Sequence, residues 1–146
     1  MKKTEIFLLS FLALSFLLSK YSEKFVDIFV VFAILGGGCY FYLSVYLLNE
    51  FRIKDLFKTT SYQALKGGII VLQVLCGFAY STAIVALVFK VMHFPGTLVL
   101  KIVAILLILI VTIINNSKQN HFRPRYMSNK TMILRVCIFS LMLLLP

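Results

Sequence analysis

An acidic and a basic residue stand inside apolar runs of this sequence and could form a charge pair within a membrane. Asp27 and Lys101 each lie within two helical turns of the start of a hydrophobic run. If both runs cross a membrane in the same direction, the two charges lie at comparable depths and can meet. The pair could carry an ion or a proton, or it could be a structural contact near enough to the interface for the side chains to snorkel. The sequence alone leaves both interpretations open.

A short junction between two hydrophobic runs holds the second group of candidate residues. Lys90 and His93 precede the turn-forming pair Pro95-Gly96. An imidazole here could titrate near neutral pH, and the ammonium could hold a lipid headgroup phosphate. The alternative is that these residues anchor a hairpin at the membrane interface. We expect Pro95 in the first turn of the next helix, where its missing N–H is not needed.

The residues that most often bind metals are too scattered to form a site. Cys39, Cys76 and Cys137 fall inside apolar runs without CxxC spacing, which is typical of small buried residues rather than disulfides or metal ligands. His121, the second of two histidines, is predicted on the membrane side opposite His93. We therefore expect no metal site and no cofactor.

Small and polar residues recur along one face of the third apolar run. Gln73, Gly77 and Ser81 are spaced four residues apart, and Ala83 is among the residues that widen this surface. Residues four apart share a helical face, small residues let helix backbones approach, and a glutamine can hydrogen-bond across the contact. The pattern predicts a packing seam, either against a helix of the same chain or against a second protein.

Other classes of function find little support in the sequence. The motifs GxSxG, HExxH, the P-loop and GxGxxG are not found, and five acidic residues spread along the chain offer little for acid–base catalysis. We therefore predict that the chain is not an enzyme. A net charge of +10 could suggest nucleic acid, but the charges punctuate apolar runs instead of clustering on a solvated face. Nucleic acid is not an expected partner.

The elements that position these residues follow from composition. Apolar residues make up 61% of the 146 residues and charged residues only 14%, whereas a soluble domain carries about a quarter charged residues. The lipid bilayer is thus the expected surrounding of a single transmembrane domain, residues 1–146. We predict an all-α polytopic membrane protein with four transmembrane helices and a fifth, C-terminal hydrophobic segment. The predicted spans are residues 4–20, 25–48, 67–89, 96–114 and 131–146.

Two of these segments are short. The first spans 13 uncharged, mostly apolar residues, from Ile6 to Leu18, and needs flanking lysines that snorkel. The last is interrupted by Arg135 and could be a half-buried helix, a fifth span with a snorkelling arginine, or part of a longer chain. Tyr40, Tyr42 and Tyr46 are expected in an interfacial aromatic belt, and a short interfacial helix is expected within residues 49–66.

The distribution of basic residues predicts the orientation. The N-terminus and the two long connections hold ten of them, and the opposite side holds three. This asymmetry predicts that the N-terminus and the two long connections lie in the cytoplasm. The first group is Lys2, Lys3, Arg52, Lys54, Lys58, Lys66, Lys118, Arg123, Arg125 and Lys130, and the second is Lys20, Lys24 and Lys90.

The two halves of the chain also resemble each other. Residues 33–35 and 104–106 both read Ala-Ile-Leu, and a lysine, Lys20 or Lys90, precedes the junction in each half. Two helices separate the copies, so the hypothesis is a parallel repeat of two helical hairpins rather than an inverted one.

The junction at residues 89–96, Phe-Lys-Val-Met-His-Phe-Pro-Gly, resembles the FKxxHWPGA junction of small multi-span membrane proteins common in Bacteroidetes-type bacteria. The aromatic residues 40–43, the polar residues 49–58 and the closing Leu145-Pro146 also fit that family. A more distant likeness is to the membrane subunit of the gliding-motility motor of type IX secretion. That family is largely uncharacterised, so the resemblance implies a topology more than a function.

These observations favour two hypotheses about function. The first is a non-enzymatic membrane subunit or scaffold, whose small-residue seam and basic loops bind a membrane-protein partner or a second copy of the chain. The alternative is a small transporter or ligand-binding membrane protein that uses Asp27, Lys101 and His93.

Overall fold

The computed structural model describes residues 3–48, 67–118 and 129–145. These residues form five helices, with no strand among them, which confirms the predicted all-α class. The helices are α1 (Lys3–Ser19), α2 (Glu23–Leu48), α3 (Gly67–Val91), α4 (Thr97–Lys118) and α5 (Asn129–Leu144). The interfacial helix expected within residues 49–66 falls outside the described residues.

Three helices in this part of the chain are long and apolar enough to cross a membrane, fewer than the four predicted. They are α2, α3 and residues Thr97–Asn115 of α4. The apolar parts of α1 and α5, Thr4–Ser19 and Ile133–Leu144, are shorter than the roughly 20 residues that a bilayer core of about 30 Å requires.

Large apolar side chains cover the outside of the bundle. Ile34, Leu98, Ile113 and Leu141 are each more than 60% exposed, and every helix contributes exposed large apolar residues. A soluble monomer rarely exposes so continuous an apolar surface. Together with the three long apolar helices, this surface supports a membrane protein.

The helix α3 lies at the centre of the bundle. It packs against α2 on one side and α4 on the other, while α1 packs on α2 and α5 contacts α3 and α4. Contacts at the two ends of α5 fix the direction of this helix. Arg135 meets Glu5 near the start of α1, and the last turn of α5 meets Lys90 near the end of α3. Hence α5 runs parallel to α1 and α3.

Glycines bring the first three helices close together. A Cβ atom on Gly77 would overlap the Cβ atom of Ser44 and the carbonyl oxygen of Tyr40 and would lie 2.8 Å from the Ser44 hydroxyl oxygen. A Cβ atom on Gly36 would lie 3.3 Å from a methyl of Leu12 in α1. The break in α2 is at Leu43, which has φ −108° and ψ 18°, and not at its glycines.

The turn between α3 and α4 is a Schellman motif. The Phe94 N–H donates to the Phe89 carbonyl at 2.9 Å and the His93 N–H to the Lys90 carbonyl at 3.3 Å. The Phe89 and Phe94 rings add the apolar contact typical of this motif, 5.4 Å apart. His93 takes the left-handed position with φ 53°.

Several sequence-based details are corrected by this geometry. Tyr40 and Tyr46 face the bundle interior, and of the three predicted belt tyrosines only Tyr42 is strongly exposed, at 81%. Pro95 lies in the turn and not in the first turn of the next helix, because α4 begins at Thr97. Cys137 is exposed on α5, whereas the sequence suggested that it is buried.

Candidate functional site

A pair of opposite charges is buried inside the bundle. The Arg135 Nε donates to Glu5 Oε1 at 2.5 Å, and its Nη2 donates to Glu5 Oε2 at 2.8 Å. The Glu5 side chain is fully buried and that of Arg135 is 4% exposed. Two parallel hydrogen bonds between guanidinium and carboxylate give the strongest and most directional form of ion pair.

Helix packing brings these two residues together from distant parts of the sequence. Glu5 lies in the first turn of α1, where a carboxylate also interacts favourably with the helix N-terminus. Arg135 lies in the second turn of α5, and 130 positions separate the two residues. The contact therefore ties the first helix to the last.

A tyrosine completes the hydrogen bonding of the carboxylate. The Tyr40 hydroxyl of α2 donates to Glu5 Oε1 at 3.1 Å, so that oxygen accepts from two donors. We refer to Glu5, Arg135 and Tyr40 as the buried charge cluster. Its members belong to α1, α5 and α2, so three helices meet there.

Aromatic rings enclose the buried charge cluster. The Tyr40 ring packs edge-on against Tyr80 of α3 and Phe139 of α5, with ring centres 5.4 and 6.0 Å apart. Tyr80 and Phe139 stack at 5.3 Å. All three rings are almost fully buried. In a site that excludes water, attraction between opposite charges is stronger than at a surface, and an unpaired charge is strongly disfavoured.

The chemistry of the buried charge cluster is that of a structural contact. Both carboxylate oxygens accept hydrogen bonds from donors of the protein, and the guanidinium balances the carboxylate charge within the bundle. Because these bonds link three helices, they fix the mutual register of α1, α2 and α5.

Lys90 has a defined role at the opposite end of the bundle. Its ammonium donates to the carbonyl oxygens of Met142 and Leu143, both at 3.2 Å, and to that of Leu145. The last carbonyls of a helix have no partner within the helix and carry partial negative charge, so a lysine is well suited to bind them. The Lys90 ammonium also lies 5.5 Å from the centre of the Phe16 ring.

The charge pair predicted between Asp27 and Lys101 is not formed. Asp27 is exposed on α2 and Lys101 is half-buried on α4, and within the described residues no ion pair connects them. The positive charges of Lys101 and Lys20 both repel the positive charge of Lys90. His93 is exposed in the turn, where its backbone conformation forms the motif.

The predicted seam on α3 continues from the interior to the surface. Gln73 and Gly77 are buried, with Gly77 against α2, and Ala83 is fully buried. Ser81 is only half-buried, and its hydroxyl would lie 3.7 Å from a Cβ atom on Gly37. This part of the seam therefore meets a helix of the same chain and ends at the surface near Ser81.

A groove opens where the seam ends. It lies between α2 and α3 and has a volume of about 380 Å³. Its floor includes the small residues Ala33, Gly37, Gly38 and Ser81, and Phe41, Tyr42, Ile34 and Val85 are among its larger lining residues. A Cβ atom on Gly38 would find nothing within 4 Å. Contacts between the described helices thus account for the glycines at positions 36 and 77, whereas no such contact requires a glycine at position 38.

Sequence reasoning missed the buried charge cluster. In the sequence, Arg135 is recognisable only as an interruption of the last apolar run, and no motif marks Glu5. One signal was present: Glu5 and Arg135 each follow the start of their segments by a short distance, and the predicted topology gives both segments the same direction. That places an acid and a base near one another in depth, which is the argument that was applied to Asp27 and Lys101.

Comparison of the chain with protein-family models, with curated proteins and with solved structures gave no match in any of the three.

Proposed function

We propose that this protein is a non-enzymatic membrane subunit or scaffold that binds another transmembrane helix in the groove between α2 and α3. The observation that carries the proposal is the open space at Gly38, beside Gly37 and Ser81, on a surface that otherwise bears large apolar side chains. The partner is a second membrane protein or a second copy of this chain.

The physics of helix association in lipid supports a helix as occupant. Lipid tails are as apolar as leucine, so helices associate in a bilayer through close packing of small residues and through hydrogen bonds. The contact between α2 and α3 already uses this device at Gly77, which lies directly on the backbone of Tyr40. The surface at Gly38 offers a second contact of this type, with the Ser81 hydroxyl beside it.

The proposed arrangement in the membrane has all five helices crossing an inner bacterial membrane with a cytoplasmic N-terminus. The excess of basic residues in the N-terminus and long connections supports this orientation. The antiparallel order of α1 to α4 and the parallel course of α1, α3 and α5 support five crossings, with local bilayer thinning at the short helices α1 and α5.

The resemblance of residues 89–96 to the small multi-span family, and with it the parallel repeat, remains part of this proposal. Lys20 and Lys90, the lysines that precede the junction in each half, both lie near the Phe16 ring, at 5.7 and 5.5 Å. This is compatible with two hairpins of the same orientation. The alternative function, transport through Asp27, Lys101 and His93, is less well supported because Asp27 and His93 are exposed and, among the described residues, no ion pair joins Asp27 to Lys101.

Purification in mild detergent with mass determination of the intact complex tests the proposed function. The unaltered chain should appear as a defined hetero- or homo-oligomer, and Gly38→Leu, which fills the groove, should lower the retained partner by about tenfold or more. Gly68→Leu is the matched control, because Gly68 also has nothing within 4 Å of an added Cβ but lies outside the groove. A monomeric unaltered chain, or equal retention by both variants, would refute the proposal.

A further inference from the structure

The last helix is poorly equipped to enter a bilayer by itself. The helix α5 has 16 residues, and its apolar part runs only from Ile133 to Leu144. Arg135 stands within that part, and arginine is among the residues that most oppose insertion near the centre of a helix. Both features set α5 apart from α2, α3 and α4, which are long and apolar enough to cross.

Polar contacts hold α5 in the bundle at both of its ends. At one end Arg135 forms its two hydrogen bonds with Glu5 of α1, and at the other Lys90 of α3 binds the carbonyls of Met142 and Leu143. Between them, Phe139 stacks on Tyr80. On the outward face of α5, the exposed side chains include the apolar residues Leu134 and Leu141. Pairing Arg135 with Glu5 thus leaves α5 with a lipid-facing surface that a membrane accepts.

We propose that α5 crosses the membrane only when Arg135 is paired with Glu5, so that a residue of the first helix commits the last helix to its transmembrane position. The order of synthesis suits this role. Glu5 and Tyr40 are made and inserted before α5, and the Glu5 carboxylate, which accepts from the Tyr40 hydroxyl, is then the acceptor that Arg135 of α5 pairs with. This inference concerns the chain's own topology and does not depend on a partner in the groove.

Snorkelling is the competing explanation. Arg135 is six residues from the start of α5, or about 9 Å along the axis, and a long arginine side chain could bend toward the nearer interface without Glu5. In that case α5 would cross whatever residue stands at position 5. The two explanations differ in what they predict for the segment after Leu144 when Glu5 is replaced.

The test is a pair of topology reporters fused after residue 146 of the full chain, one active only outside the cytoplasm and one fluorescent only inside it. In the unaltered chain the outside reporter should be active. Glu5→Ala should lower the ratio of outside to inside chains by about a hundredfold, since it leaves the arginine unpaired. Asp27→Ala is the matched control, because Asp27 also stands in an apolar run but is exposed and lies on another helix.

Two further measurements separate this effect from a general failure to fold. The double variant Glu5→Ala, Arg135→Leu removes both charges and should restore the outside location, because α5 then carries no arginine. In every variant, Met92→Cys in the α3–α4 turn should still react with a membrane-impermeant thiol reagent added from outside. An outside reporter that is unchanged in Glu5→Ala overturns the proposal in favour of snorkelling, and a double variant that stays inside overturns it as well.

Discussion

Glu5 and Arg135 lie 130 positions apart in the sequence, yet their side chains meet through hydrogen bonds of 2.5 and 2.8 Å inside the helix bundle. This contact joins the first helix directly to the last. Apart from it, α1 packs mainly on α2, and α5 packs mainly on α3 and α4. A charge in such a place is tolerated only with its partner. The energetics of the pair therefore differ sharply between removing one member and removing both.

Removing one charge of the buried pair should destabilise the folded protein more than removing both. Arg135→Met or Glu5→Leu alone leaves an uncompensated charge and should lower the free energy of unfolding by about 3 to 5 kcal/mol. The double variant should lie within about 1 kcal/mol of the unaltered chain, since apolar residues of similar size replace a buried pair well. Unfolding in mixed detergent micelles gives the three values. Additive losses in the double variant would show that the two residues are not coupled.

The Tyr40 hydroxyl should contribute to stability separately from its ring. Tyr40→Phe keeps the ring contacts with Tyr80 and Phe139 but removes the hydrogen bond to Glu5. A bond to a charged acceptor is worth about 1.5 to 3 kcal/mol, so the free energy of unfolding should fall by that amount. Tyr42→Phe is the control, because Tyr42 is exposed on the same helix. Equal effects of the two variants would contradict the role assigned to Tyr40.

The sequence predicts the positions of the long helices well, because each of them corresponds to a continuous run of apolar residues. The predicted spans 25–48 and 67–89 agree closely with α2 and α3. The packing role of Gly77 was also predictable, because four-residue spacing of small and polar residues marks one helical face. At Gly77 that face meets Ser44 of α2, so this part of the seam packs against a helix of the same chain and not against a second protein.

The charge pairing was not predictable from local patterns. Asp27 stands near the start of an apolar run and Glu5 directly precedes one, and depth alone cannot decide which of them faces a cation on another helix. That depends on the rotation of each helix about its axis, which the packing at Gly36 and Gly77 sets. The structure turns Glu5 and Arg135 inward and leaves Asp27 exposed. The rotation of α2 about its axis likewise places Tyr40 in the core and not in the expected interfacial belt.

A side chain at position 77 should disrupt the contact between α2 and α3. A Cβ atom there overlaps the backbone of Tyr40, so Gly77→Ala should lower the free energy of unfolding by about 1 to 3 kcal/mol through forced separation of the helices. Gly38→Ala, on the facing helix and with nothing within 4 Å, should be neutral or stabilising, because alanine favours helix more than glycine does. Denaturation of both variants in the same detergent gives the comparison. A stable Gly77→Ala variant would contradict the close approach.

His93 should be replaceable by glycine with a gain in stability. Its φ of 53° is a left-handed conformation that side chains disfavour and glycine adopts freely. His93→Gly should therefore raise the free energy of unfolding by about 0.5 to 1 kcal/mol, whereas His93→Val, which is β-branched, should lower it. A His93→Gly variant that is less stable than the unaltered chain would contradict backbone strain at this position. Thermal unfolding of the three chains separates these outcomes.

Lys90 should be needed to hold the end of α5, through its charge and its reach. Lys90→Met keeps a long, unbranched side chain at this position but removes the ammonium near Phe16 and its donors to the carbonyls of Met142 and Leu143. The loss of a cation at a helix C-terminus should lower the free energy of unfolding by about 1 to 2 kcal/mol. Lys90→Arg should recover part of that loss, because a guanidinium also donates to carbonyls, and Lys24→Met, an exposed lysine of α2, is the control. Hydrogen exchange of the amides of α5 locates the effect: faster exchange confined to its last turns in Lys90→Met is expected, and unchanged exchange there would show that the contact does not hold the helix.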